Sequence, residues 1–550
     1  MQITDSAIEL FCKNYRNFLI NEGHLTISQF IDLYIKARSF LHKKAGHQEI
    51  DFSTLTYTSL RLPDIIYKIK DIVLGKTDVY FFQENYHINT WKEVTTPARR
   101  RKTFYDGSHT LGVFITSVSD TDDLICLLTA FQVEWNKIHK LLNQQKMIIN
   151  EKTVDNLQEF LKIPKDRWIG LHKIWKENFV LFWQKMKLIQ LDFNVKLLGG
   201  SYLDYKTATQ KWFDNIVKTI RYKDIVNKPF YFVSSNTHSL VNNITGWVNK
   251  IEKKLIDYIY KNKETELISY WNNIQSPNSP GLKENFLWYL LKKYEIKYPE
   301  ARLKRKKYEQ DLGIDYVEAR HFLDINTQVI KVSQLVKSHL MTKLCMKNFK
   351  KLEKSDAYIT NIDYPLGNGA YIILSTILEN TYRIKGIYVL GKASLLNGKL
   401  GDISLPNAVF DIHSKNEFIF KNAISKHYFP NFKTGNILTN HRSISVKGTF
   451  LQSEKIIKKY FNSGYSSVEM ECGPYLNAVY ETSYWSRYPE NRTLSLVNSP
   501  IDIGIIHYAS DTFFTKTITL GTKSLGYEGV EATYSSSLAI LKRIIELETS

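Results

Sequence analysis

From about Ala357 onwards, short apolar runs that favour β-strands alternate with segments that favour helices. The runs GIYVL and IGIIHYA are typical of buried strands, whereas NGAYIILSTILEN and YSSSLAILKRIIELE have helical spacing. Strands that alternate with helices predict an α/β domain with a mostly parallel sheet. In such domains ligands bind beyond the carboxyl ends of the strands, so the site is expected there.

Polar residues follow three of the predicted strands. Gly391 and Lys392 come after GIYVL, Ser510 and Asp511 come after IGIIHYA, and a third strand carries VEME over 468–471. Each feature is common by itself, because a Glu at a strand end is usually a surface residue and a Ser-Asp pair usually caps a helix. Carboxylates on two separate strand ends, together with a glycine turn, make a more specific pattern.

The same segments resemble a known family. YVLGKASLLNGKLGDISLPNAV is similar to a strand, a glycine turn and a GD-(I/V)-x-(I/L)-P segment. SSVEMECGPYLNAVYE resembles a VEME motif followed by two small residues, and ASDTF resembles a strand that ends in Ser-Asp. NIDYPLGNGAYIIL resembles the glycine-rich turn and helix that precede them. In this order the motifs resemble those of the nucleoside phosphorylase and nucleosidase superfamily. The resemblance covers about the last 200 residues and implies a three-layer α/β domain with a mixed, mostly parallel sheet.

The resemblance also implies roles for the matching residues. Asp511 is expected to be the general acid that protonates a departing purine base, which requires a pKa raised by burial. Glu471 is expected to accept hydrogen bonds from the two ribose hydroxyls and to favour positive charge on the sugar. Met470 would pack on the sugar. The other substrate-binding candidates are Glu469, Ser510, Gly391, Lys392, His413 and Arg442; a structural role is the alternative for the last two.

Two positions depart from the phosphorylase pattern. Phosphorylases of this family have an arginine two residues before the glycine turn and a serine or threonine after it, where this chain has Val389 and Lys392. The attacking group, water or phosphate, therefore stays open, and phosphate is the candidate co-substrate. We expect no other cofactor and no metal. Cys472 has no pattern of catalytic His and Asp partners, so we interpret it as a buried structural thiol.

The first 330 residues resemble nothing of known function. We expect a mainly helical region over 1–160, a mixed α/β or helical region over 161–330, and the nucleosidase-like catalytic domain over 331–550. The run ARRRK at 98–102 is interpreted as an exposed turn, with a phosphate site as the alternative. The pattern KPFYFV-SSNTHSL predicts either an anion site at a helix start or an ordinary helix cap.

Charge and cysteine content bear on partners and compartment. Residues 355–550 hold 19 Lys and Arg against 17 Asp and Glu, so most of the net charge of +19 lies in the first 354 residues. A basic surface attracts phosphates, but no nucleic-acid-binding motif is present, and nucleic acid ranks last among the partners. The four cysteines have no CxxC spacing, and neither a membrane span nor a secretory signal is recognisable. We expect a cytoplasmic protein without a membrane partner. The family resemblance implies a homo-oligomer.

These features predict an enzyme, an N-glycosyl hydrolase or pentosyltransferase. Its reaction would be cleavage of the N-glycosidic bond of a purine nucleoside or nucleotide, with Asp511 as the acid and Glu471 on the ribose. The alternative is a catalytically altered protein on the same fold that binds a nucleotide and has a regulatory role.

Overall fold

The computed structural model describes residues 6–144, 148–221, 225–275, 283–319, 322–344, 349–484, 489–512 and 530–550, with only the backbone at position 511. In these residues the fold is α/β and contains two sheets. None of the described helices combines the length and apolarity needed to cross a bilayer.

The first sheet lies in the N-terminal part of the chain and has the order β1-β6-β2-β5-β4-β3. Its described strands are β1 (His24–Thr26), β2 (Asp71–Gly75), β3 (Lys92–Glu93), β4 (Thr103–Tyr105), β5 (Thr110–Phe114) and β6 (Asn194–Leu197). The helices of this part are α1 (Ser6–Asn21), α2 (Ile31–Lys36), α3 (Phe52–Ser59), α4 (Asp78–Gln83), α5 (Val118–Asn143), α6 (Asn156–Phe160), α7 (Lys165–Trp175), α8 (Phe179–Leu188) and α9 (Tyr202–Thr219). The first 160 residues thus contain strands in addition to the predicted helices.

Helix α5 is the long amphipathic helix that the sequence predicts. Its apolar residues recur at helical spacing, and Leu124, Leu127, Phe131 and Trp135 are all buried. The helix begins directly after Ser117, and Ser117 and Ser119 hydrogen-bond to the loop that follows strand β10 (Tyr358–Asp363), as described below.

The second sheet is larger and follows the order β16-β13-β12-β14-β15-β11-β7-β10-β9-β8, with β17 paired to both β11 and β12. Its described strands are β7 (Phe230–Ser235), β8 (Ile314–Val317), β9 (Thr327–Lys331), β10 (Tyr358–Asp363), β11 (Ile384–Leu395), β12 (Ile403–Asp411), β13 (Glu417–Ile419), β14 (Ile437–Ser445), β15 (Ser467–Glu469), β16 (Thr493–Ser495) and β17 (Asp502–Thr512). The sheet therefore takes strands from both sides of position 330.

The helices that accompany the second sheet fall into two groups. Between β7 and β10 lie α10 (Ser239–Thr245), α11 (Trp247–Lys250), α12 (Glu252–Lys261), α13 (Thr265–Ile274), α14 (Lys283–Lys297), α15 (Pro299–Asp311), α16 (His339–Lys343) and α17 (Lys350–Glu353). After β10 come α18 (Gly369–Asn380), α19 (Glu454–Asn462), α20 (Cys472–Ser483) and α21 (Val530–Thr549).

The centre of the second sheet is parallel and its margins are mixed. Strand β7 pairs in parallel with β10 and β11, and β11 pairs in parallel with β17. The pairs β8–β9 and β9–β10 are antiparallel. The predicted parallel character therefore holds for the central strands of a mixed sheet.

The parts of the chain that contain the two sheets share one hydrophobic core. One hydrophobic core contains residues of α5, such as Leu124 and Phe131, together with Ile372 of α18 and Ile444 of β14. This shared core holds the start of α5 close to the loops at the carboxyl ends of the central strands.

Candidate functional site

Strand β11 brings the two carboxylate-bearing strands together. Ser394 pairs with Val468 of β15 on one side and with Asp511 of β17 on the other. Since neighbouring strands lie about 4.8 Å apart, the backbones at positions 468 and 511 are about 10 Å from each other. The VEME and Ser-Asp segments therefore flank the same point of the sheet.

Two pairs of residues differ from the sequence prediction in their local structure. Gly391 and Lys392 lie inside β11, which continues to Leu395, and not in a turn after the strand. Similarly, Ser510 and Asp511 lie inside β17. The side chain of Asp511 lies outside the described part of the structure, so only its place in the strand is known.

Glu469 anchors the start of helix α20. Its Oε2 accepts the backbone N–H groups of Glu471 at 2.7 Å and Cys472 at 2.8 Å. The Ser445 hydroxyl donates to Oε1 of the same carboxyl group. Burial raises the pKa of Glu469, and these hydrogen bonds act in the opposite direction. With both oxygens occupied and the side chain buried, Glu469 holds the loop that carries Glu471.

Glu471 stands at the position just before α20 and faces a glycine turn. Its Oε1 accepts the backbone N–H of Gly367 at 3.2 Å. Burial and the neighbouring Glu469 charge raise the pKa of Glu471 to about 8, opposed by backbone hydrogen bonds and by Arg100. Its carboxyl group is therefore largely neutral at neutral pH and would ionise when donors or positive charge approach it.

Met470 lies between these two carboxylates, half-buried. Its Sδ is 3.9 Å from the Thr449 hydroxyl. A methyl group placed on Gly367 would lie 3.7 Å from Met470 Cε, so the methionine packs beside the same glycine turn that contacts Glu471.

Residues that follow three neighbouring strands, Lys392 among them, lie at one edge of the sheet. Strands β11 and β7 pair up to Val389 and Ser234, and β7 and β10 pair up to Ser235 and Asp363. The residues that come next therefore lie side by side: Gly391 and Lys392, Asn236 to His238, and Tyr364. A Cβ on Gly391 would have open space around it, and Lys392 is exposed.

The pKa of His238 is lowered well below its ordinary value. Burial is the larger cause, and the positive charges of Arg100, Lys292 and Lys392 act in the same direction. Just before helix α10, Asn236 Oδ1 accepts the N–H groups of His238 at 3.0 Å and Ser239 at 2.6 Å, so the SSNTHSL segment turns into the helix through the Asn236 side chain. His238, the residue at the N-cap position, makes no capping hydrogen bond with its side chain, and an anion site at this helix start stays a prediction.

His413 and Arg442 have other partners. The backbone N–H of His413 donates to Asp411 Oδ1 at 3.2 Å, and burial lowers the pKa of its ring. Arg442 donates to the carbonyl of Ser463 at 3.0 Å and to Glu417, and its guanidinium lies 4.5 Å from the centre of the Tyr465 ring. No described contact brings either side chain to Glu471.

Cys472 is buried in a small polar cluster. Its Sγ lies 3.1 Å from Nε2 of His507, and Glu469 is the third member. Burial raises the pKa of the thiol and lowers that of His507 to about 3. Both carboxylate oxygens of Glu469 are used in hydrogen bonds, so the arrangement fits the expected structural thiol.

A protein-family model covers most of the chain. The model described as "Family of unknown function (DUF6909)" matches residues 27–546. The chain belongs to this family. No curated protein matches its sequence. The DUF6909 match contains the described strands of the second sheet and strands β2–β6 of the first, so most of the N-terminal part and the candidate site lie within the same family model.

Solved structures of nucleosidases and phosphorylases resemble part of the chain. S-adenosylhomocysteine nucleosidase from Streptococcus pyogenes has 9% identity and a TM-score of 0.32, covering 59% of this chain and 99% of that one. 5′-Methylthioadenosine/S-adenosylhomocysteine nucleosidase from Neisseria meningitidis has 12% identity and a TM-score of 0.29, covering 58% and 99%. Uridine phosphorylase from Vibrio fischeri has 11% identity and a TM-score of 0.29, covering 42% and 83%. At these identities and TM-scores the resemblance carries no conclusion about function.

The N-terminal segment contributes contacts at the site that the sequence does not predict. The run ARRRK is not simply an exposed turn: Arg101 is only 5% exposed, and it donates to the backbone carbonyls of Asp324 at 2.9 Å and Tyr364 at 2.8 Å. Arg100 forms an ion pair with Asp363 at the end of β10 and lies near Glu471. Because these partners are distant in sequence, no local pattern reveals them.

Proposed function

We propose that this DUF6909 protein cleaves the N-glycosidic bond of a purine nucleoside or nucleotide. The observation that supports this most is the register of β11, in which Ser394 pairs with both the VEME strand and the Ser-Asp strand. The motifs that resemble those of nucleosidases are thus adjacent in space and not only ordered along the sequence.

Glu471 would hold the sugar. The enclosed carboxyl group has a pKa of about 8 and accepts backbone hydrogen bonds, one of them from Gly367 at 3.2 Å. Two ribose hydroxyls that donate to it would favour the ionised form, and the carboxylate would then stabilise the positive charge that develops on the sugar as the bond breaks.

Asp511 would protonate the base. It follows a buried apolar run of β17 that includes Ile505, Ile506 and Ala509. An apolar environment raises the pKa of a carboxylic acid, and a positioned acid contributes roughly 10²–10⁴-fold to the rate. The base would depart with its developing negative charge neutralised by this proton.

The attacking group is water or phosphate. Val389 is buried and apolar, in the position where the phosphorylases have an arginine, which favours water. Lys392 and Arg100 still place positive charge at the same edge of the sheet, where a phosphate of the substrate would be attracted. Both features also suit a second candidate function, a protein that binds a nucleotide without turning it over.

A test of base release separates these functions. The full-length protein is incubated with purine nucleosides, methylthioadenosine and AMP, with and without phosphate, and free base is measured beside Asp511→Asn and Glu471→Ala. The surface variant Glu454→Gln serves as the control for loss of a carboxylate. Release that is lost in both site variants and kept in the control supports the proposal. Nucleotide binding without release from any substrate would contradict it and favour the binding protein.

A further inference from the structure

We propose that Ser117 and Ser119, at the start of helix α5, position the Glu471 carboxyl group by holding the glycine turn against it. They act through the turn and are therefore positioning residues. The inference rests on the proposed function only for what Glu471 does to a substrate, and it gives the N-terminal part of the chain a role in the site.

The two serines form hydrogen bonds with the backbone on both sides of Gly367. The Ser119 hydroxyl oxygen accepts the backbone N–H of Asn368 at 3.0 Å. The Ser117 hydroxyl donates to the backbone carbonyl of Leu366 at 3.0 Å. Both serines are fully buried, so water does not compete for these hydrogen bonds.

A residue with a side chain does not fit at position 367 without a shift of Ser119. Its φ of +52° lies in the left-handed region, which favours glycine. A Cβ built at this position would lie 2.4 Å from Ser119 Oγ, much closer than any real contact. The backbone of Gly367 therefore lies in close contact with Ser119, and its N–H donates to Glu471 Oε1 at 3.2 Å.

A second connection fixes the chain just before the turn. Arg101 donates to the carbonyl of Tyr364, and its Nε lies 3.3 Å from Oδ1 of Asp120, which is also in the first turn of α5. Asp120 in turn accepts the N–H of Thr116 at 2.7 Å. The two serines hold residues 366–368, and Arg101, which contacts Asp120 of α5, holds the chain at Tyr364.

The prediction is specific to one hydroxyl of α5. Ser119→Ala removes the acceptor of the Asn368 N–H and leaves that group buried without it, so we expect kcat/KM for base release to fall by about tenfold. Thr129→Val is the matched control, because Thr129 is a buried hydroxyl on the same helix that donates only to its own turn, at Ile125. Ser117→Ala is a second, independent variant.

A double-mutant cycle separates positioning from general destabilisation. If Ser119 acts through Glu471, Ser119→Ala has little further effect on the residual kcat/KM of Glu471→Gln, whereas Thr129→Val has the same small effect in both backgrounds. An undiminished tenfold loss in the Glu471→Gln background would overturn the proposal.

Hydrogen exchange gives a readout that needs no turnover. We expect the amides of residues 366–369 to exchange faster in Ser119→Ala than in the wild type and in Thr129→Val. If the wild type releases no base from any substrate, the proposed function fails, yet faster exchange in Ser119→Ala would still support the positioning. Unchanged exchange in both serine variants would contradict it.

Discussion

The backbone N–H of Glu471 donates to Oε2 of Glu469 at 2.7 Å, so two carboxyl groups are held within one short loop. One of them is fixed to the backbone and the other faces the candidate site. Their proximity is one of the two causes that raise the pKa of Glu471 to about 8; burial is the larger.

This pKa predicts a pH-dependent stability. Because the folded-state pKa lies above the unfolded value, the neutral carboxyl stabilises the fold at low pH, and this contribution is lost as the pH rises from about 4.5 to about 8. We expect the Tm of the wild type to fall relative to that of Glu471→Gln over this range. Thermal unfolding of both proteins between pH 5 and 9 measures the difference, and parallel curves would contradict the assignment.

Substitution of Glu469, which anchors the start of α20, is expected to lower the stability of the fold. Glu469→Ala deprives two backbone N–H groups of their acceptor at the start of α20, so we expect a loss of about 1–3 kcal/mol in the free energy of unfolding. Urea unfolding compares this variant with Glu454→Ala, whose carboxylate is on the surface. Equal stability of the two variants would show that Glu469 has no anchoring role.

Two glycines with similar backbone angles give a matched pair. Gly367 and Gly23 have φ values of +52° and +72°, but only Gly367 has an atom within contact distance of an added Cβ. Both substitutions to alanine incur about 1 kcal/mol for the left-handed backbone. Gly367→Ala should lose additional stability and base release, as urea unfolding and a base-release assay would report. A similar result for both variants would exclude crowding at Ser119 as the cause.

Cys472 is expected to be unreactive in the folded protein. Burial raises the pKa of its thiol, and the adjacent His507 is neutral, so no thiolate forms. Labelling with iodoacetamide at pH 8, followed by mass spectrometry of the Cys472 peptide, should show modification only after unfolding. Rapid labelling of the native protein would indicate an activated cysteine instead.

Lys392 is expected to contribute more to the binding of phosphorylated substrates than to that of uncharged nucleosides. Lys392→Ala should raise KM for AMP by about tenfold and change KM for an uncharged nucleoside little, because it removes one charge-assisted contact to phosphate. The exposed Lys421 serves as the control position. Equal effects on both substrates would place the phosphate elsewhere.

The sequence predicts some levels of this structure better than others. The α/β character, the strands around GIYVL and IGIIHYA, and helix α5 follow from local periodicity, and the structure confirms them. The short strands of the first sheet, such as Lys92–Glu93, have too few residues for a recognisable pattern. The burial of Arg101 depends on Tyr364, 263 positions away, and no local rule connects them. The roles of Asp511 and Glu471, the homo-oligomer and the cytoplasmic location stay predictions.

Single-turnover release of free purine, with full-length protein in excess over methylthioadenosine or AMP, tests directly whether this site cleaves a glycosidic bond. We expect release by the wild type and by Glu454→Gln, and a loss of at least about a hundredfold in Glu471→Ala and Asp511→Asn. Undiminished release by either site variant, or none by the wild type, would contradict glycosidic cleavage at this site.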